Sequence, residues 1–527
     1  MSSEPPSAGA SSDHLTGDYP ILLGTAAQFR AVREVLVRAG FVEETVAARL
    51  GGPTLVGVPR LVDGRKSLAG PVEDANAALI RLFIDGDPLP TGAMREWLGQ
   101  DGIDALCELG LLTESDSDGG TIEPTVMLVP LQGLWLASDL LPRTGSGVAL
   151  TRQDFVYSAG NELTASFLAV IPDAPGARVL DLCAGTGVAA IRAAKRGAAS
   201  AMASDITPRC AHFAHFNASL NGAESNVAVC VSDAWESLGD AQYDLIVAHP
   251  PYVPALSHRF DFRDAGGDGE HVTRRIVEGT PAHLARGGRL IFRAALSDRR
   301  GATIAQRIRA WLGDSADEFD LVQIESFEYG LLDAYKGVTK GGRDYVDCER
   351  WLRHFASLEI ERFAVCFIEL RREAFGRAPV TERRTMGADL SPLVADWHFR
   401  FARFLQDGGE TAAARMAGQR PRVPAFVRTA VHLEALADGG WQTVGATVES
   451  KWPAHGVVKA PPIAPTLLEL CDGTRDVGAV LAGLRASGLV DDEVGLEEVS
   501  LLVEVLATAG ALELPACPHP ARPVRRV

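Results

Sequence analysis

Between residues 165 and 300 the apolar runs "ARVLDLCA", "AASAMASDI", "NVAVCVSD", "YDLIVAH" and "GGRLIFRAAL" alternate with stretches of helical pattern. This alternation constrains the chain more than any other feature. Strands separated by helices cannot close as hairpins, so they form a parallel α/β sheet with helices on its faces. Two later runs, "FDLVQIESF" and "RFAVCFIELRR", between 320 and 370, are expected to complete the sheet edge. Ligands of such sheets bind beyond the carboxyl ends of the strands. The residues that end each run are therefore the first candidates for a site.

The first run passes into "VLDLCAGTGVAA". Gly185 and Gly187 permit a tight turn, and a helix from about Val188 points its free N–H groups at that turn. Such turns also hold dinucleotides, but Asp181 argues otherwise. An acid at the turn repels a pyrophosphate and attracts an ammonium group. S-adenosylmethionine, with an ammonium and no phosphate, suits an acid beside open amides, and Cys183, Ala184, Gly185, Thr186 and Gly187 form the expected cradle. Asp205, with Ile206 beside it, ends the second run, where a carboxylate accepts both ribose hydroxyls. Its structural alternative is an N-cap for "TPRCAHFAHFNASL". Asp233 and Ala234 follow the third run, where an acid meets an adenine amino group, although Asp is common in plain loops.

The fourth run stops at His249-Pro250-Pro251-Tyr252, since proline has no backbone donor and a fixed φ. The prolines hold backbone carbonyls in one orientation, able to accept hydrogen bonds from an incoming nucleophile. Tyr252 can stack on a planar group, and His249 can accept a hydrogen bond or a proton next to the cofactor. His249, Pro250 and Tyr252 are the expected catalytic residues.

Together these residues resemble a class I S-adenosylmethionine-dependent methyltransferase, and more narrowly the release-factor glutamine methyltransferase (HemK/PrmC) group. That family has an acid-glycine loop, a second acid followed by a helix, and an Asn-Pro-Pro-Tyr elbow. It also has a loop resembling "DAGGDGEHVTRRIVE", residues 264 to 278, in which Gly266, Gly267, Asp268 and Gly269 match. The resemblance covers about residues 150 to 300 and implies a Rossmann-like sheet, S-adenosylmethionine as cofactor, and methyl transfer to a nitrogen or other heteroatom. Where the family has an Asn that bonds the substrate amide, this chain has His249. The family's Arg-, Pro-, Glu- and Thr-rich segment is replaced by "YSAGNELT", which makes Tyr157 and Asn161 the expected substrate contacts beside His249, Pro250, Pro251 and Tyr252. An imidazole also opens the site to acceptors that must lose a proton, such as a hydroxyl, a carboxylic acid or another imidazole.

Outside this region, residues 77 to 136 and the C-terminal "PTLLELCDGTRDVGAVLAGL" and "LEEVSLLVEVLATAGALEL" each read as three helices with a small hairpin, suiting winged-helix-like units. The expected division is a disordered lead-in over 1–25, a winged-helix-like domain over 26–145 and a methyltransferase domain over 146–372. A helical connecting segment over 373–455, a second winged-helix-like domain over 456–515 and a tail over 516–527 complete it. The formal net charge of −17 disfavours a nucleic-acid partner, despite eleven Arg against six acids over 258–310. It favours a protein, peptide or small-molecule substrate, and the flanks leave a homodimer open. Lone cysteines without a C-x-x-C pair argue against zinc and disulfides and for a reducing cytoplasm. No run is apolar enough to span a membrane. An adenine-N6 RNA or DNA methyltransferase and a non-catalytic, cofactor-sensing regulator remain as alternatives.

Overall fold

A computed structural model describes residues 19–57, 71–115, 120–141, 143–144, 147–148, 152–338, 348–385, 391–453 and 456–521. Most of the expected lead-in, residues 1–18, and the last six residues of the expected tail lie outside them. The chain divides into two compact units, 1–313 with 330–363, and 314–329 with 364–527.

The first unit is built on parallel strands β1 (Arg178–Leu182), β2 (Ser200–Asp205), β3 (Val227–Val231), β4 (Tyr243–Ala248) and β5 (Leu284–Arg299), in the order β3-β2-β1-β4-β5. Helices α1 (Val188–Lys195), α2 (Pro208–Leu220), α3 (His271–His283) and α4 (Ile304–Trp311) accompany them. Strand order reverses between β1 and β4, and a crevice opens at such a switch point. Register decides what lines it. Asp181 stands opposite Ala203 and Val247, Asp205 opposite Val231, and Ala248 opposite Phe292. The run-ending acids and the elbow thus share one sheet edge, behind which Leu180, Ile246, Leu290 and Phe292 are fully buried.

Ahead of this sheet, helices Ala75–Phe83, Thr91–Leu98 and Gln100–Glu108 combine with short antiparallel strands Leu89–Pro90, Leu112–Ser115 and Thr121–Pro124, as the glycine breaks predict. This part is joined to the parallel sheet by specific contacts. Phe29, on helix Ala26–Arg38, meets Phe216 edge-on at 5.2 Å. Arg33 donates to the carbonyls of Ser219 and Leu220, which satisfies the orphan end of α2. The hairpin Val126–Leu131 with Leu134–Asp139 is held by Asn217 of α2. Its side-chain amide donates to the carbonyls of Ala137 and Thr186, and its oxygen accepts from the Ala137 amide.

The second unit holds β6 (Asp320–Tyr329), residues 364 onward of β7 (Ile360–Arg371), and β8 (Thr381–Thr385), in the order β7-β6-β8. Helices Pro392–Asp407 and Ala412–Met416 follow, as expected. The expected helical character of 373–455 then fails. Val427–Ala435 and Trp441–Ser450 form a long antiparallel hairpin, joined by Val457–Ala460. Its strands alternate Val431, Leu433 and Val448 with polar residues around an Asp438-Gly439-Gly440 turn, a hairpin signal. Helices Ala464–Leu470, Val477–Ala486 and Leu496–Thr508 come next, packing Leu467, Val480, Leu484, Val503 and Leu506 into a common core. The sheet of this unit precedes its three helices, where the sequence reading placed a hairpin after them. Among the described residues no helix is long and apolar enough to cross a membrane, and no cluster of His, Cys, Asp or Glu could hold a metal. All eight cysteines are free thiols.

Candidate active site

The glycine loop is held from below by two carboxylates. Asp181 is buried and accepts from the Ala190 amide at 3.1 Å, in the first turn of α1. Asp205 accepts from the amides of Gly185 at 2.9 Å and Thr207 at 3.1 Å. The N-cap of α2, the other reading of this position, falls to Thr207, whose hydroxyl accepts from Cys210. Burial lifts Asp181 to about 7, helped by the charge of Asp205, and burial likewise raises Asp205 despite its amide donors. Among the described residues no Lys or Arg counters either acid. Two desolvated carboxylates without a cation are wrong surroundings for a pyrophosphate and suit a ligand carrying ammonium and sulfonium charge. One detail departs from expectation. The Asp181 carboxylate is engaged by the helix start, so its effect on a ligand runs through its field and through the loop it anchors.

The loop itself is a tight turn. Ala184 donates to the Ser204 carbonyl and Gly187 to that of Ala184, while the Thr186 carbonyl takes the Asn217 amide. Cys183 stands at φ 57°, and burial pushes its thiol well above the ordinary range, which keeps it un-ionised. The two glycines differ in purpose. At Gly187, φ 76°, a side chain would begin 2.9 Å from the Ala214 Cβ, so only glycine lets α1 and α2 close up. At Gly185 nothing stands within 4 Å of that position, so the loop is open where a ligand would lie. Ile206, half-exposed, offers an apolar plate beside Asp205. Asp233 is less free than expected, because Arg275 donates to it at 2.6 Å; Ala234 next to it adopts φ 51°.

At the elbow, the carbonyls of Pro250 and Pro251 take no hydrogen bond from the described residues. The His249 ring lies 5.2 Å from Phe167 and 6.0 Å from Tyr252, nearly parallel to the latter. Tyr157 stacks on Phe262 at 5.2 Å, and its phenol is raised by burial and by Tyr252 nearby. Asn161 does not join them. It caps helix Glu162–Val170, accepting from the Thr164 amide and donating to the Ser158 carbonyl and the Thr164 hydroxyl. Its side chain thus has a structural role in capping this helix.

Arg293 was not legible in the sequence. The pairing of Ala248 with Phe292 puts it level with His249, and its Nη1 donates to the Tyr252 hydroxyl at 3.0 Å and faces His249 Nε2 at 3.5 Å. Burial first, and the Arg293 charge second, push His249 down to about 3. An imidazole that neutral is a poor general base near pH 7. Of the two roles expected for His249, the surroundings favour hydrogen bonding. The only sign of Arg293 in the sequence is a cation inside "LIFRAAL".

The loop after the elbow explains its glycines. At Gly269, φ 78°, a side chain would begin 2.7 Å from the Tyr252 carbonyl oxygen, so the loop lies directly against the elbow's backbone. Buried Glu270 ties it to β5, by accepting from the Ser297 amide and from Arg299, and to α4 through Arg307. His354 Nε2 donates to the Gly267 carbonyl at 2.9 Å. The arginines over 258–310 are largely absorbed here. Arg274 pairs with Glu278, Arg275 with Asp233 and Glu236, and Arg299 with Asp268 and Glu270. Of these pairs Arg274–Glu278 lies on the exposed face of α3, whereas Arg299 and Arg307 reach the buried Glu270.

Comparison with known proteins agrees with this geometry. The family model "Methyltransferase small domain" matches residues 149–303. A release factor glutamine methyltransferase of Cereibacter sphaeroides is 36% identical over 138 residues, 24% of this chain and 49% of that protein. A ribosomal protein uL3 glutamine methyltransferase of Bradyrhizobium diazoefficiens is 38% identical over 126 residues, 22% and 39% of the two chains. A candidate protein N5-glutamine methyltransferase of Methanocaldococcus jannaschii is 30% identical over 149 residues, 27% of this chain and 73% of that one. The chain thus spans about half, or less, of the length of the first two relatives. With an archaeal relative covered over most of its length and the loop and elbow in register on one sheet edge, the chain belongs to the class I S-adenosylmethionine-dependent methyltransferases, in the group of the release-factor glutamine methyltransferases.

Proposed function

We propose that the protein transfers a methyl group from S-adenosylmethionine to a nitrogen of a protein acceptor. The observation that carries this reading is the pair of desolvated, cation-free acids, Asp181 and Asp205, next to an elbow whose proline carbonyls are unclaimed. When bound, the cofactor supplies an electrophilic methyl on a sulfonium. The chain's part is to hold and orient. Asp205 and Ile206 would hold the ribose and adenine of the cofactor, together with Asp233 and Ala234. Gly185 leaves the loop amides open to the amino-acid end. Pro250 and Pro251 accept N–H hydrogen bonds from the acceptor, Tyr252 stacks on it, Tyr157 and Phe262 wall it, and His249 hydrogen-bonds to it. Proximity and orientation of this kind supply much of the rate in such transfers.

The relatives' named targets make a glutamine side chain of a translation protein the first acceptor to try, and free cysteines are in keeping with a reducing compartment. The net charge of −17 and the acidic partners of Arg274, Arg275 and Arg299 weigh against the nucleic-acid alternative. Calorimetry with S-adenosylmethionine, followed by transfer of labelled methyl in cell extract, tests the reading. Saturable binding and a labelled protein band are expected. Binding without transfer to any protein would leave a cofactor-sensing regulator, and no binding would end the assignment.

A further inference from the structure

We infer that Arg293 is a positioning residue that fixes the tautomer of His249, so that the ring presents Nδ1–H, a donor, to the acceptor site. A guanidinium is always protonated and offers only donors. With Nη1 3.5 Å from Nε2, an Nε2–H would point one N–H at another beside a positive charge. Nε2 therefore keeps its lone pair toward Arg293. The neutral imidazole carries its single proton on Nδ1, and protonating both nitrogens is opposed by the same cation and by burial. The guanidinium is in turn registered by its bond to the Tyr252 hydroxyl and by its position over that ring, 5.9 Å from the centroid. Nδ1 makes no hydrogen bond with the described protein and is not among its sealed polar atoms.

The consequence concerns what the site accepts. The carbonyls of Pro250 and Pro251 receive N–H groups, while His249 gives one. A carboxamide matches both, its nitrogen at the prolines and its oxygen at the imidazole. An amine, without an oxygen, leaves the Nδ1–H unpaired, which is costly in a desolvated site. Where the related enzymes place an Asn, this chain reads the oxygen of the group and not its N–H. The acceptor half of this inference rests on the methyltransferase reading; the tautomer does not, because it is visible without turnover.

Long-range ¹H–¹⁵N correlation on histidine-labelled full-length protein reads the tautomer directly. The wild type is expected to show a protonated Nδ1 and a bare Nε2 at His249, assigned by its loss in His249→Asn. Arg293→Lys is expected to keep that signature and Arg293→Met to shift it toward a mixture. A protonated Nε2 in the wild type overturns the inference by itself, even where the Met variant fails to fold, and so does an unchanged signature in a folded Arg293→Met. In the presence of S-adenosylhomocysteine, propionamide is expected to shift the Nδ1–H resonance and propylamine to leave it. A shift by propylamine, or silence from propionamide at its solubility limit, overturns the acceptor half. Should calorimetry show no cofactor binding while the tautomer stands as described, the methyltransferase reading fails and the Arg293 assignment survives.

Discussion

The glycine loop and the Pro-Pro elbow lie on the same sheet edge and are secured by opposite means. The loop is held mostly by backbone amides reaching carboxylates close in sequence, Gly185 to Asp205 and Ala190 to Asp181. The elbow is held by residues from separate elements: Arg293 from β5, Phe167 from the helix before β1, and Gly269 from the following loop. Backbone-to-carboxylate wiring tolerates little change in residue type, and this end of the site keeps the family pattern. Side-chain wiring can be exchanged pairwise, and this is where His249, with Arg293 beside it, departs from the family's Asn.

The contrast can be broken at several points. The largest effect is expected at the loop. Gly187→Ala combines a left-handed φ with contact on Ala214 and should cost about 2 to 4 kcal/mol of stability, read by denaturant unfolding. A loss under about 1 kcal/mol would mean that the α1–α2 contact is looser than drawn. Asp205→Asn keeps one acceptor for the amides and removes the charge. It should weaken S-adenosylmethionine binding by about tenfold to a hundredfold, the worth of one charge-assisted hydrogen bond, with the fold intact. Unchanged affinity by calorimetry would remove Asp205 from the cofactor site.

A third test uses pH. Asp181 sits at about 7 in the folded chain against an ordinary 3.8. Between those values the folded state binds the extra proton, so its stability is highest below about pH 4 as far as this group is concerned and declines as pH rises toward 7. Denaturant midpoints across that window should fall less steeply in Asp181→Asn than in the wild type; parallel slopes would place the group's titration elsewhere. The smallest effect is expected at Asn161. Asn161→Ala should remove about 1 kcal/mol, the worth of an N-cap, and leave cofactor and acceptor binding alone. A selective loss of acceptor binding would instead show the substrate contact expected from the sequence.

What the sequence showed follows from range. The strand runs, the acids and the glycine turn are local patterns, and register then places them together. The elbow was legible because two prolines after an apolar run have few meanings. Arg293 was not, since only strand pairing brings a residue forty-four positions away beside His249. The capping role of Asn161 was not legible, because an amide beside a ligand and an amide capping a helix look alike in one dimension. The hairpin over 427–450 was legible in its alternation and its Asp438-Gly439-Gly440 turn, but the aromatic helical stretch before it was extended over the whole segment.

Asn217 extends the site's footprint beyond the segment that resembles other enzymes. One carboxamide grips both the floor of the cofactor loop and the hairpin ending at Asp139, so the early part of the chain acts as scaffolding for a pocket it does not line. A fragment beginning near residue 150, trimmed to the region shared with relatives, would strand that amide in apolar surroundings and leave the turn it steadies without a brace.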